Sequence, residues 1–275
     1  MTDFYGRNLY RHIALAKPIK QSKFDWAPHQ EWLDRIILGD SRNLAVIPDN
    51  SVALIITSPP YCVGMDYDQD STIQEYLTLL QEVYRECFRI LEIGGRLCVN
   101  TANVGRKPYI PYTSLTWALL AEIGFLPRGE IIWNKGQAQT NNTAWGSFRQ
   151  ASNPTLRDQH EYILVASKGQ YGRAYSGTST ISSKEYTTWT RTLWDIKPES
   201  AKRIGHPAPF PVELPRRLIK LYSYESDVVL DPFSGAGSTA VAAIGTGRHF
   251  MGVDNVEAYV ELSRSRIAKL YGIDS

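Results

Sequence analysis

The sequence predicts an α/β protein with a doubly wound, mostly parallel sheet, and three observations carry that prediction. Short apolar runs rich in β-branched residues recur along the 275 residues, separated by stretches of helical period, as expected of strands buried on both faces. One of these runs, Val228 to Leu230, ends in Asp231 and a glycine turn, Gly235-Ala236-Gly237, ahead of a small-residue helix and of a strand closing on Asp254. Another, Val52 to Ile56, stops in Thr57-Ser58-Pro59-Pro60-Tyr61. Proline fixes φ and removes a backbone donor, so two in succession make a stiff corner whose carbonyls have no ladder to join.

The bulk composition sets limits. A chain of this length buries about three quarters of its unfolded surface, enough for a core without staples. The three cysteines, Cys62, Cys87 and Cys98, form no C-x-x-C pair and are odd in number, so reduced thiols in a cytoplasmic protein are expected. No apolar run approaches the roughly 18 residues of a membrane span, and the N-terminus has no uninterrupted apolar block, so no membrane partner is expected. The net charge of +2 conceals an uneven distribution: between Arg128 and Arg217 stand 13 Lys and Arg against 7 Asp and Glu. Such a local excess, rather than the global one, is what a polyanion would meet.

Taken in order, residues 1–30 have no period and are expected to form an irregular arm. Arg35 to Leu38 reads as a strand closed by Gly39-Asp40, and Pro48 to Ser51 as the turn into the strand before Ser58. From Ile73 the apolar positions fall at helical spacing to Leu91, with Ser71 or Thr72 to cap the start and Gly94-Gly95 the end. Arg96 to Asn100 follows as a strand, Thr113 to Ile123 as a helix ended by Gly124, then strands at Glu130 to Asn134 and at 160–167. Two long polar stretches, 136–157 and 169–191, interleave aromatic with basic residues. Trp145, Arg149, Arg157, Arg173, Lys184, Trp189 and Arg191 are their candidates for stacking on bases and neutralising phosphates, although a small satellite core would use the same residues. The prolines of His206 to Pro211 extend the chain into a helix through Leu214 and Tyr222, and a helix from Val256 to Leu270 closes the sequence.

A strand, a G-x-G turn, a helix and an acid at the next strand end make a nucleotide-type cofactor site: the glycines allow close approach, and the acid suits ribose hydroxyls. Two departures argue against a dinucleotide. The third glycine is missing, and Asp231 would repel a pyrophosphate while attracting a cationic ligand. S-adenosylmethionine, with a sulfonium, an ammonium and no phosphate, meets that requirement. The final helix would lead naturally to one more parallel strand but the sequence ends, whereas Arg35 to Leu38 stands unplaced at the other end. Circular permutation resolves both, and it sets the Asp231 strand beside the Ser58 strand where the winding reverses, the place where such sheets bind ligands.

In these landmarks the chain resembles the amino-methylating DNA methyltransferases of permuted motif order. Thr57 to Tyr61, Asp231 to Thr239, Gly39-Asp40, His160-Glu161-Tyr162 and His206 to Pro211 stand in that family's order, and the resemblance covers roughly residues 35 to 271. It implies a seven-stranded, circularly permuted S-adenosylmethionine-dependent methyltransferase sheet. The catalytic half would occupy 31–135, a target-recognition region 136–200 (its strand 160–167 belonging to the sheet) and the cofactor half 201–275. Asp231, Phe233, Ser234, Gly235, Gly237, Asp254, Phe210, Pro211 and Asp40 would hold the cofactor. Ser58, Pro59, Pro60 and Tyr61 would handle the base, with Ser58 Oγ and the Pro59 carbonyl as acceptors and Tyr61 stacking. By family habit a serine before Pro-Pro leans to cytosine N4, with adenine N6 the alternative. The implied partner is double-stranded DNA, with a homodimer and a separately encoded restriction endonuclease as further candidates. Cys62 is assigned to packing, His160 and His206 to structure, and no metal site is expected. Two other classes compete: a nicotinamide-dependent oxidoreductase, on the G-x-G turn alone, and a DNA-binding module with a vestigial pocket, on the basic and aromatic middle.

Overall fold

The computed structural model describes residues 20–60, 72–105, 108–136, 146–199, 204 and 210–272. The strands are β1 (Arg35–Leu38), β2 (Val52–Thr57), β3 (Leu91–Thr101), β4 (Val104–Gly105), β5 (Tyr109–Ile110), β6 (Phe125–Asn134), β7 (His160–Lys168), β8 (Leu193–Asp195), β9 (Val228–Asp231) and β10 (His249–Asp254). The helices are α1 (Ile73–Ile90), α2 (Tyr112–Ile123), α3 (Ser183–Trp189), α4 (Glu213–Tyr222), α5 (Ser238–Ile244) and α6 (Glu257–Tyr271).

Because successive side chains of a strand point to opposite faces, each apolar run feeds two cores. Ile55, Leu97, Val99, Leu164, Leu230 and Val253 pack under α1 and α2. Leu54, Ile56, Cys98, Ile163, Val229 and Phe250 face the other way, under α4, α5 and α6. The main sheet runs β1-β10-β9-β2-β3-β7-β6-β8, and among its described strands only β7 is antiparallel to its neighbours. The seven expected strands are all present. An eighth, β8, joins β6 at the edge, where Trp194 is buried and donates its Nε1 to the Trp189 carbonyl at 3.1 Å.

The permuted order is visible in the pairing. β2 lies against β9, with Leu54 opposite Val229 and Ile55 opposite Leu230. β1, first in sequence, runs parallel to β10, and Arg264 of the last helix donates to the Ile36 carbonyl of β1 at 2.6 and 3.0 Å.

Three local expectations need correction. Thr72 caps α1 in a reciprocal capping box with Glu75, but Gly94 and Gly95 do not end it; the chain turns straight from the helix into β3 at Leu91. Gly94 instead answers a close approach: at φ 76° it faces the Gly172 backbone, where a Cβ would collide. The arm is not irregular throughout, because Trp26 is buried, donates to the Ser51 carbonyl at 3.0 Å and leads into a 3-10 turn at Ala27–Trp32. The polar stretch 169–191 contains α3, opened by a capping box between Ser182 and Glu185. Among the described residues no helix is long and apolar enough to cross a membrane.

Candidate functional site

The carboxyl ends of β9 and β10 carry the glycine turn. Gly235 and Gly237 adopt φ of 50° and 71°, the left-handed region that glycine enters without strain. At Gly237 the space is also closed, since a Cβ would stand 2.9 Å from that of Ser263 on α6. The Gly235 amide donates to Asp254 Oδ2 at 2.8 Å and the Val256 amide to Asp254 Oδ1 at 3.0 Å, so the acid at the end of β10 also fixes the turn. Ser234 donates its amide to the Val253 carbonyl at 2.9 Å. Ser238 Oγ donates to the Phe210 carbonyl at 2.9 Å, which holds the buried Phe210-Pro211 segment against the start of α5. Phe233, half-buried, completes the group.

Asp231 lies deeper than the sequence implies. It is 1 % exposed, beneath the turn, and accepts from Thr239 Oγ1 at 2.7 Å and the Phe233 amide at 3.1 Å. Burial pushes its carboxyl up to about 7, against the pull of those hydrogen bonds. Through these two bonds its carboxylate holds the turn from beneath. Asp40 is exposed at the end of β1 and forms a paired contact with Arg42, 2.9 Å from Nε to Oδ2, which lowers its carboxyl below the usual range. The adjacent Ser41, which the sequence did not single out, is buried and donates to the Pro232 carbonyl at 2.6 Å.

The Ser58 corner stands next door, at the end of β2. Ser58 is half-buried, Pro59 buried and Pro60 exposed; Tyr61 and Cys62 lie outside the described residues. Ser58 Oγ accepts from Asn100 Nδ2 at 3.2 Å, and the same amide nitrogen donates to Glu161 Oε2 at 2.6 Å. Glu161 is in turn ion-paired with Lys135, whose Nζ sits 4.6 Å over the Trp133 ring. Topology produces this convergence. Asn100 is near the end of β3 and Lys135 just beyond β6, while antiparallel β7 brings its start, Glu161, to the same edge opposite Trp133. The signal available in the sequence was one polar residue at each strand end; only Glu161 lay within a recognised landmark. Two buried polar atoms at this edge, Thr57 Oγ1 and Asn100 Oδ1, have no hydrogen-bond partner among the described residues. The Thr57 hydroxyl nevertheless sits close enough to Asp231 to favour its charged form slightly.

The candidate DNA contacts divide. Arg149, Lys184 and Arg191 are exposed and Arg157 is half-buried, while Trp145 lies outside the described residues, as does His206, which was assigned to structure. Arg173 is not at a DNA surface: its side chain is 9 % exposed, clamped between Glu92 at 2.8 Å and Asp227 at 3.1 Å at the opposite, amino-terminal edge of the sheet. Trp189 is not available for stacking either. It is buried beneath α4, with the Arg216 guanidinium 4.8 Å from its ring, and belongs to the same core of the sheet as Leu54, Ile56 and Val229.

The turn fits S-adenosylmethionine by its donor set. The third glycine of a pyrophosphate turn is missing, Ser238 and Thr239 following Gly237, and the carboxylates of Asp231 beneath the turn and Asp254 beside it favour a cationic ligand without phosphate. Comparison with known proteins agrees. The N6/N4 DNA methylase family model matches residues 52–265. The type II methyltransferase M.MjaI of Methanocaldococcus jannaschii is 30% identical over 262 residues, spanning 80% of this chain and 86% of the relative. The type II beta methyltransferase M.BslI of Bacillus sp. is 28% identical over 263 residues, spanning 87% of this chain but only 28% of its own length. Among solved structures, TTHA0409 of Thermus thermophilus in complex with S-adenosyl-L-methionine is similar with a TM-score of 0.72 at 32% identity, over 87% of this chain and 95% of that one. The chain belongs to the N6/N4 DNA methylase family of S-adenosylmethionine-dependent methyltransferases.

Proposed function

We infer that this protein methylates the exocyclic N4 of cytosine in double-stranded DNA, on a base turned out of the helix. The observation that carries this reading is the Ser58 hydroxyl, held by Asn100, Glu161 and Lys135 at the end of the strand adjoining the cofactor turn. The serine in that corner, by its resemblance to the cytosine-directed form of the motif, supports N4 over adenine N6.

Bound S-adenosylmethionine supplies an electrophilic methyl group on a sulfonium. Gly235, Gly237, Ser234 and Phe233 would cradle it, Asp254 would take ribose hydroxyls with its remaining lone pairs, and Asp40 and the Phe210-Pro211 segment would border it. A ring amine is a weak nucleophile because its lone pair is delocalised into the ring. Ser58 Oγ, with one lone pair engaged by Asn100, offers the other to an amine hydrogen, and the Pro59 carbonyl takes the second. Two acceptors aimed at the two hydrogens favour a pyramidal nitrogen and hold it in line, a form of orientation that replaces several kcal/mol of barrier. Methyl transfer would leave a surplus proton on the nitrogen, which would depart along the hydrogen bond to Ser58 as the serine's own proton passes to solvent. No covalent bond to the enzyme is required. Lys184, Arg191, Arg149 and Arg157 would neutralise phosphates, with 136–200 as the target-recognition region. The type II designation of the relatives supports a separately encoded restriction endonuclease as a functional partner.

The test is to incubate the protein with double-stranded DNA and cofactor, digest the DNA and separate the nucleosides by mass spectrometry. N4-methylcytosine is expected; N6-methyladenine alone would overturn the base assignment.

A further inference from the structure

Two buried polar atoms at the amino-terminal edge of the sheet, Arg96 Nε and Ser167 Oγ, have no hydrogen-bond partner among the described residues. Their residues stand directly opposite each other on β3 and β7. Directly opposed residues share a face and bring their side chains within reach of each other. That face is the one under α4, because Cys98 and Val165, the next pair on the same side, pack into its core. Both residues lie deep: Ser167 is 0 % exposed and Arg96 8 %.

Arg96 differs from Arg173 at the same edge. Arg173 has the carboxylates of Glu92 and Asp227, whereas the two Nη atoms of Arg96 donate to the carbonyls of Gly94 and Tyr171, and no carboxylate pairs with Arg96 among the described residues. A further guanidinium stands near it. Burial first, and then the charge of Arg128, push Arg96 down to about 10. Arg128 is exposed and is set at the irregularity of β6 between Pro127 and Gly129, a device that re-aims a side chain. Its guanidinium lies 4.5 Å over the ring of Tyr171, and the ring of Tyr222, the last residue of α4, is 6.0 Å from the guanidinium of Arg96.

A buried cation is costly unless it is paired, and a second cation beside it raises the demand for an anion. A water molecule would satisfy Nε and Oγ but would leave the charge as it is. The donors come from three strands, β3, β7 and β6, and not from one plane, which suits the several oxygens of a tetrahedral anion better than the flat pair of a carboxylate.

We propose that Arg96, Ser167 and Arg128 form a binding site for a free tetrahedral oxyanion of the phosphate type, at the edge of the sheet opposite the cofactor turn. Arg96 Nε and the Ser167 hydroxyl make its buried part and Arg128 its exposed one. Depth decides for a free anion: the backbone of a duplex reaches an exposed arginine but not a fully buried hydroxyl. The site is independent of methyl transfer and of the base that receives it.

The test is calorimetric titration of the full chain with inorganic phosphate, against chloride at equal ionic strength, for the unaltered protein, Ser167→Ala, Arg128→Ala and Arg128→Lys. Arg128 is exposed and Ser167→Ala deletes a single oxygen, so these variants keep the fold. Saturable binding at one site is expected in the unaltered protein, about tenfold or more weaker in each alanine variant, and within about threefold of the original in Arg128→Lys, which restores the charge. The thermal midpoint should rise with phosphate and saturate in parallel, as for any ligand of the folded state alone. A rise that does not saturate and is the same in every variant is the general effect of an excluded salt and would overturn the site. Saturable binding that is equal in all four proteins would mean an adventitious ion only and would also overturn it. Duplex DNA is added as a competitor: displacement of phosphate by DNA, together with weaker DNA binding by Arg128→Ala, would overturn the free anion in favour of a backbone phosphate.

Discussion

Two buried polar clusters sit at opposite edges of the same sheet and are built from similar parts. At the amino-terminal edge Arg173 lies between Glu92 and Asp227, with Tyr175 donating to Asp227 at 2.6 Å. At the carboxyl edge Lys135 pairs with Glu161, which receives Asn100 at 2.6 Å. The first pairs its charges internally: its carboxylates, guanidinium Nη atoms and phenol bond one another, Lys23 adds a further cation 3.4 Å from Asp227, and Arg173 Nε alone has no hydrogen-bond partner among the described residues. The second is an open chain. It ends on the half-buried Ser58 hydroxyl, and the Asn100 amide oxygen beside it has no hydrogen-bond partner among the described residues. A cluster whose charges face one another in the interior stitches loops to strands. One that terminates on a half-exposed hydroxyl beside a cofactor turn has something left to bind.

The largest expected effect falls on the closed cluster. Arg173→Ala leaves Glu92 and Asp227 buried without their cation and should lower stability by about 3–5 kcal/mol, read as a shift in denaturant midpoint. DNA affinity of the folded protein should not change. Weaker DNA binding with the midpoint unmoved would erase the distinction between the two clusters.

At the open cluster the loss should appear in turnover. Ser58→Ala should reduce it by about 10²–10³, the usual effect of removing one preorganised hydrogen-bonding group, and Glu161→Gln by about 10² through misplacement of Ser58. Cofactor affinity, measured by titration calorimetry, should hold in both. Because Glu161 acts through Ser58, the double variant should lose little more than Ser58→Ala alone. Fully additive losses would show that Glu161 acts by another route.

The smallest effect is on pH dependence. Burial raises both Asp231 and Glu92 to about 7, above the range of an unfolded carboxylate near 4. Between about pH 4 and 7 the folded protein keeps protons that the unfolded chain has released, so these groups make stability fall as pH rises through that window. Asp231→Asn removes one contribution, and the variant should gain on the unaltered protein in denaturant midpoint between pH 5 and pH 8. A gap that stays constant would mean that Asp231 is ionised throughout.

The sequence by itself determined the order of the seven expected strands and of the helices between them other than α3, because buried strands and amphipathic helices carry their periods in neighbouring residues. It also determined the glycine turn and the Ser58-Pro59-Pro60 corner, whose backbone demands are local, and the permuted order, because the Ser58 corner precedes the glycine turn along the chain. Tertiary structure alone decided what the polar side chains meet. Arg173 and Arg149 look alike in a basic, aromatic stretch, yet one is locked at the amino-terminal edge by residues 81 and 54 positions away and the other stands exposed on a hairpin. Asn100, Lys135 and Glu161 become neighbours only because one strand of the sheet runs backwards and carries its first residues to where the others end. Gly94 and Gly95 looked like a helix stop, since nothing local announces that the Gly172 backbone will press against one of them. A periodic pattern records which face of an element is buried, whereas the partner of a charge or the neighbour of a glycine is fixed by strand pairing across the whole chain.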